Sequence, residues 1–169
     1  MNLIRLISRK TFASLLVMFS TIFCASPEPP QAPALRHVFD IHAECGEARL
    51  AGEVPGGKRV MIPISGGYVD GGISASILPG GADYQMVDTV RGRVKYDAIY
   101  TILTSDSVMV NVRNQGVSVP LEKGQYFTTS PRFEAPVDSP YDWLNNRIFV
   151  CRPIGFGKGI VHLRVWVAE

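Results

Sequence analysis

Two carboxyls stand out for the chemistry their surroundings allow. Asp83 follows Gly80, Gly81 and Ala82 and precedes Tyr84 and Gln85, so an acid sits where the backbone can bend sharply and a polar trio can face a cavity. A carboxyl partly withdrawn from water holds its proton more firmly and can pass it to a substrate. The alternative role is a turn cap, with the carboxylate accepting backbone N–H groups. Glu134 lies two residues after Arg132 on the same strand face, where it serves either as a second acid or as the partner of Arg132. It closes the first half of the stretch Tyr126–Asn146, which holds three prolines together with Tyr126, Phe127, Phe133, Tyr141 and Trp143. Tyr126 and Trp143 join an apolar body to a polar tip, and an indole face stabilises positive charge, which suits a ligand cavity as well as a core. Asp97 and Tyr100 fall on opposite faces of one strand by parity, so one of them points inward, and parity leaves open which. Arg113 and Asn145 complete the polar candidates.

Several chemistries find no footing. His37, His42 and His162 lack the spacing of a metal site. No serine sits in a nucleophile elbow, and GFGKG at 155–159 lacks the strand-to-helix setting of a phosphate loop. Lys and Arg form no stripe interleaved with aromatics, which argues against nucleic acid as a partner. Of three cysteines, Cys24 lies near the N-terminus, and Cys45 and Cys151 are either one disulfide or two buried thiols.

The elements that position these groups read as strands. His37–Cys45 alternates, with Phe39, Ile41, Ala43 and Cys45 on one face, and Ile160–Val167 does the same. Further strands are expected at Arg59–Ser65, Tyr68–Ile77, Tyr84–Val87, Arg93–Leu103, Val108–Asn114, Tyr126–Arg132 and Asn146–Arg152. Paired glycines and Ser105-Asp106 supply the turns. Short strands at regular spacing without helical periodicity predict an antiparallel sandwich or barrel over 37–169. Ahead of it, residues 1–25 carry Arg5, Arg9 and Lys10 before a short apolar run, the layout of a signal peptide, or of a membrane anchor if uncleaved. The expected location is therefore the secretory pathway or outside the cell. Residues 26–36 read as a Pro-rich linker. Removing those three basic residues takes the formal charge from +2 to −1, so the basic balance says little about partners.

Six motifs then appear in order: PISGG at 63–67, LPGGADYQ at 78–85, YDAIYTILTSD at 96–106, NQG at 114–116, YFTTSPRFE at 126–134 and YDWLNNRIFV at 141–150. Their succession resembles the family of domain of unknown function 3237, small proteins of bacteria and fungi, across Phe39 to Val167. The resemblance implies a single closed, antiparallel, up-and-down-like β-barrel of about eight to ten strands around a central cavity. It also implies that some fungal relatives close rings in natural products without a cofactor, adding a hydroxyl across an alkene. For a cofactor-free cyclase or isomerase of this kind, the residues singled out above supply Asp83 and Glu134 as the catalytic carboxyls and Tyr84, Gln85, Tyr100, Arg113, Tyr126, Trp143 and Asn145 as the expected contacts to an apolar, hydroxylated small molecule, with no metal. A secreted, non-catalytic ligand carrier is the competing class. Ile99 and Thr128 replace expected arginines, Ser107 a turn glycine and Cys151 a glycine, and the lost arginines weigh against an anionic substrate.

Overall fold

The computed structural model describes residues 31–169; the expected signal or anchor segment and residues 26–30 of the expected linker lie outside them, and the last two linker residues, Leu35 and Arg36, already belong to the first strand. Ten strands run in order: β1 (Leu35–Cys45), β2 (Arg49–Val54), β3 (Gly57–Gly71), β4 (Ala75–Ile77), β5 (Gly81–Asp88), β6 (Arg93–Thr104), β7 (Met109–Pro120), β8 (Gln125–Glu134), β9 (Phe149–Gly157) and β10 (Ile160–Ala168). A single 3₁₀ turn, Asp142–Asn146, separates β8 from β9. Neighbouring strands pair antiparallel through β1, β10, β9, β8, β7 and β6. Between β6 and β3 the wall is shared, β4 filling one end and β5 the other. Pairing of β3 with β1 closes an eight-stranded barrel, to which β2 and β4 are additions.

β3 differs from the expected pair of strands because Gly66-Gly67 bends the chain without ending it. Gly67 adopts φ 120°, and a Cβ there would run into the carbonyl oxygen of His42 on β1. A glycine is required where two backbones approach so closely. The β6–β7 hairpin turns through Ser107 at φ 67°, in the left-handed region, at the position where a glycine was expected.

The alternation read from sequence divides the interior into two halves. Phe39, Ile41, Ile102, Val110, Val112, Phe133, Phe149, Val165 and Val167 pack one half as a solid core. Phe149 meets Phe133 edge-on at 5.0 Å and Trp143 at 5.8 Å, and Leu144 of the 3₁₀ turn is buried over them. The other half is hollow. The seam between β8 and β9 is the lightest part of the wall, with Thr129↔Cys151 as its ladder pair and the Ser130 hydroxyl donating to the Phe149 carbonyl at 2.9 Å.

On the outer face, Asp40 ties β1 to β10. It accepts from Arg164 Nε and Nη2 at 3.1 and 3.0 Å and lies 2.8 Å from His37 Nε2 and 3.0 Å from His162 Nε2. Burial alone raises its pKa, but the bonds from Arg164, His162 and His37 outweigh it and hold the carboxyl well below its ordinary range. Its contribution is therefore present above the unfolded pKa and lost as pH falls through the folded one. Asp40→Asn should cost about 1.5–3 kcal/mol near neutral pH. The gap from the parent should narrow in acid, and urea unfolding at both pH values checks it.

Candidate functional site

The hollow half encloses about 350 Å³, lined by inward side chains of β1, β3, β5, β6, β7, β8, β9 and β10. Ile62, Ile64, Val161 and Leu163 make an aliphatic wall, and Tyr96, Phe127 and Phe156 an aromatic one. Tyr96 stacks on Phe127 at 4.4 Å, and its hydroxyl bonds Ser118 at 2.9 Å. The space arises beside small residues. Ala98 pairs with Asp83 on one side and Asn114 on the other, so a methyl separates two polar side chains that project into the same hollow.

Asp83 is held from two directions. Gln85 donates Nε2–H to its Oδ2 at 2.7 Å, and the backbone N–H of Asp97 donates to its Oδ1 at 3.1 Å. The β5–β6 ladder skips Tyr84 and Gln85, resuming at Met86↔Lys95, and the carboxylate takes the N–H freed at that gap. Burial raises the Asp83 pKa more than these bonds lower it. Among the described residues, none that lines the cavity is a Lys, Arg or His. The outcome is a carboxyl whose pKa is raised above the ordinary carboxylate value inside a largely apolar space.

Deeper in, three polar atoms lie buried with no hydrogen-bond partner among the described residues: the Tyr100 hydroxyl, Asn114 Oδ1 and the Thr129 hydroxyl. All three residues line the cavity. Burial raises the pKa of Tyr100, keeping it a phenol, and pushes Cys151 up to about 11. Cys45, also raised chiefly by burial, lines the cavity as a free thiol, and Cys151 is free as well, so the two form no disulfide.

Of the residues expected at a site, Asp83, Gln85 and Tyr100 come together here. The remaining six lie elsewhere. Glu134 and Tyr126 share the outward parity of β8, and Tyr84 that of β5, opening on a shallow outer groove beside Arg59, Arg93 and Lys95. Arg113 points outward and grips Asp97 with two bonds, at 2.8 and 2.7 Å. Trp143 covers the core end. Asn145 clamps the 3₁₀ turn to the end of β8, accepting from the Ala135 N–H at 2.8 Å and donating to its carbonyl at 2.9 Å. Ile99 and Thr128 also alternate outward, so the arginines missing there say nothing about the charge of a ligand in the cavity. Asn114, Thr129, Tyr96, Phe127 and Phe156 were not singled out for a site; once Tyr100 is inward, parity alone assigns Tyr96 and Ala98 to the same face.

Known proteins place this architecture. A UPF0311 protein of Bradyrhizobium diazoefficiens is 37% identical over 131 residues, covering 68% of this chain and 84% of that protein. The crystal structure of a conserved protein of unknown function from Rhodopseudomonas palustris superposes with a TM-score of 0.74 at 33% identity, covering 83% of this chain and 100% of the other. An enzyme from Penicillium herquei shares the fold with a TM-score of 0.67 at 22% identity, over 84% and 98% of the two chains. The profile of the proteins of unknown function DUF3237 matches residues 33–168. Because that match runs from before β1 to the end of β10 and takes in the whole lining of the cavity, the chain belongs to the DUF3237 family.

Proposed function

We propose that the barrel binds an apolar, hydroxylated precursor of a natural product and closes a ring in it by adding its own hydroxyl across an alkene, with Asp83 handling the proton. The observation that carries this reading is a carboxyl, its pKa raised by burial, set in an aromatic and aliphatic cavity whose lining holds no cation among the described residues. Protonated Asp83 gives its proton to one alkene carbon as the π bond breaks. The hydroxyl oxygen bonds to the other carbon, and the hydroxyl proton returns to the carboxylate. Substrate and product are isomers, so the step consumes no oxidant or reductant. The faces of Tyr96 and Phe127 suit the positive charge that develops on carbon. The enzyme of Penicillium herquei supports the view that this fold can house catalysis. Glu134, on the outer face, has no part in this scheme. The N-terminal charge and hydropathy support an exported protein.

The experiment is a screen of alkenyl phenols and alcohols, with hits incubated in deuterium oxide. Ring closure should yield an isomer carrying one deuteron on carbon, formed faster than in buffer alone. The second reading, a carrier, is favoured by the bonds Asp83 makes to Gln85 and to the Asp97 N–H, which give the carboxyl a structural task of its own. Ligands that bind across the series yet are recovered unchanged and undeuterated would decide for the carrier.

A further inference from the structure

The geometry points to a second function for the inner end of the cavity: a subsite for an uncharged head group that both donates and accepts hydrogen bonds, such as a hydroxyl, gripped by Tyr100, Asn114 and Thr129. The inference rests on the reading that the cavity holds a small molecule, and adds which end of that molecule goes where.

Tyr100, Asn114 and Thr129 are 4%, 4% and 5% exposed, yet among the described residues the Tyr100 hydroxyl, Asn114 Oδ1 and the Thr129 hydroxyl have no nitrogen or oxygen partner, the Cys151 thiol beside Thr129 being a weak one. Buried polar groups are nearly always paired, and three unpaired ones carried by residues that line one cavity mark a place where a bound molecule completes the set. Their chemistry specifies the molecule. The two hydroxyls can each donate or accept, whereas Asn114 Oδ1 only accepts. The other end of that amide, Nδ2, reaches only the Cys151 sulfur, at 4.0 Å, so one polar end of Asn114 lacks a good partner in either orientation. A ligand hydroxyl that donates to Asn114 and accepts from Tyr100 or Thr129 satisfies the cluster, while a carbonyl satisfies only its donors. An anion is disfavoured, because among the described residues no cation lines the cavity to balance its charge.

The arrangement also orients the ligand. Asn114 and Asp83 lie on either side of Ala98 in register, two interstrand spacings apart, or about 10 Å along the wall. A molecule with its hydroxyl on Asn114 therefore places atoms about one ring away before Asp83.

Tetralin, α-tetralone, α-tetralol and tetralin carboxylate share one bicyclic frame and differ in the head group. Isothermal titration of the full chain with each should rank tetralol above tetralone above tetralin, tetralol at least about tenfold tighter than tetralin, with the carboxylate weakest. In the double variant Tyr100→Phe, Thr129→Val the tetralol preference should fall to about twofold or less while tetralin still binds. Thr129→Val alone, which removes an unpartnered hydroxyl, should keep or raise the melting temperature. Equal binding of tetralin and tetralol, tightest binding of the carboxylate, or a preference that survives the double variant would overturn the subsite and leave the cavity reading standing. Failure of all four, tetralin included, would overturn the cavity reading and the subsite with it.

Discussion

Asp83→Asn is expected to keep the barrel and its ligand while turnover of a ring-closing substrate falls about 10²–10⁴-fold, the usual contribution of a positioned proton donor. The amide has nearly the shape of the acid. Its Oδ1 still accepts from the Asp97 N–H, and Gln85 keeps its bond by rotating its own amide to present oxygen, so neither backbone nor cavity has reason to move. What disappears is the transferable proton. In the parent, the raised pKa means that the acid form, and the rate that depends on it, persists to higher pH than for an ordinary aspartate, then is lost as pH rises through the folded value. Stability follows the same sign: the advantage of a neutral buried acid is complete below the unfolded pKa and is lost on ionisation. Cys45 on β1 and Tyr96 on β6 share the cavity with Asp83, and Asp97 on β6, paired with Arg113 on the outer face, acts on it through the wall by like charge. The variant should lack both dependences. Single-turnover rates across pH, with ligand affinity measured in parallel, test this. An Asp83→Asn variant that is fully active yet clearly less stable would return the carboxyl to a structural role.

Phe149→Ala should produce the largest loss of stability, about 3–5 kcal/mol in urea unfolding. The ring is 1% exposed and central to an aromatic chain in which Phe133 touches both it and Phe39, at 5.0 and 5.7 Å. Removing it leaves a void beneath the 3₁₀ turn, and Trp143 loses the ring it leans on. Any part of the chain still folded should bind ligand with unchanged affinity, because Phe149 does not line the hollow half. A coupled loss of affinity would mean that the two halves of the interior are not separate.

The terminal strands were legible because apolar residues alternate cleanly in both, and β6 and β8 for the same reason. β2 was missed: RLAGEV is short, half-buried at best and without a repeating apolar face. The run Gly155–Gly159 carries three glycines in five residues, yet β9 extends to Gly157 and only Lys158 and Gly159, at φ 53° and 78°, make the turn. Glycine marks permission for a bend, and the sequence does not say whether the ladder continues through it. The site was legible only in part for a related reason. Period 2 separates Asp83 and Gln85 from Tyr84, but which face looks inward, and whether an inward residue meets core or hollow, depends on closure of the barrel, in which β1 pairs with β3 on one side and with β10, at the other end of the chain, on the other. Nothing local distinguishes Asn114 or Thr129 from a solvated strand residue.

The lightly fastened β8–β9 seam bears on residence time. Walls joined by full ladders open only at a free energy near that of global unfolding, whereas a stretch with few backbone bonds parts at far lower energy. Phe127 and Phe156, whose rings stack at 6.3 Å, flank the cavity on those two strands. A molecule too large to slip past the rim then leaves at the frequency with which the strands separate, and its dissociation rate reports on the hinge of the container as much as on the contacts inside it.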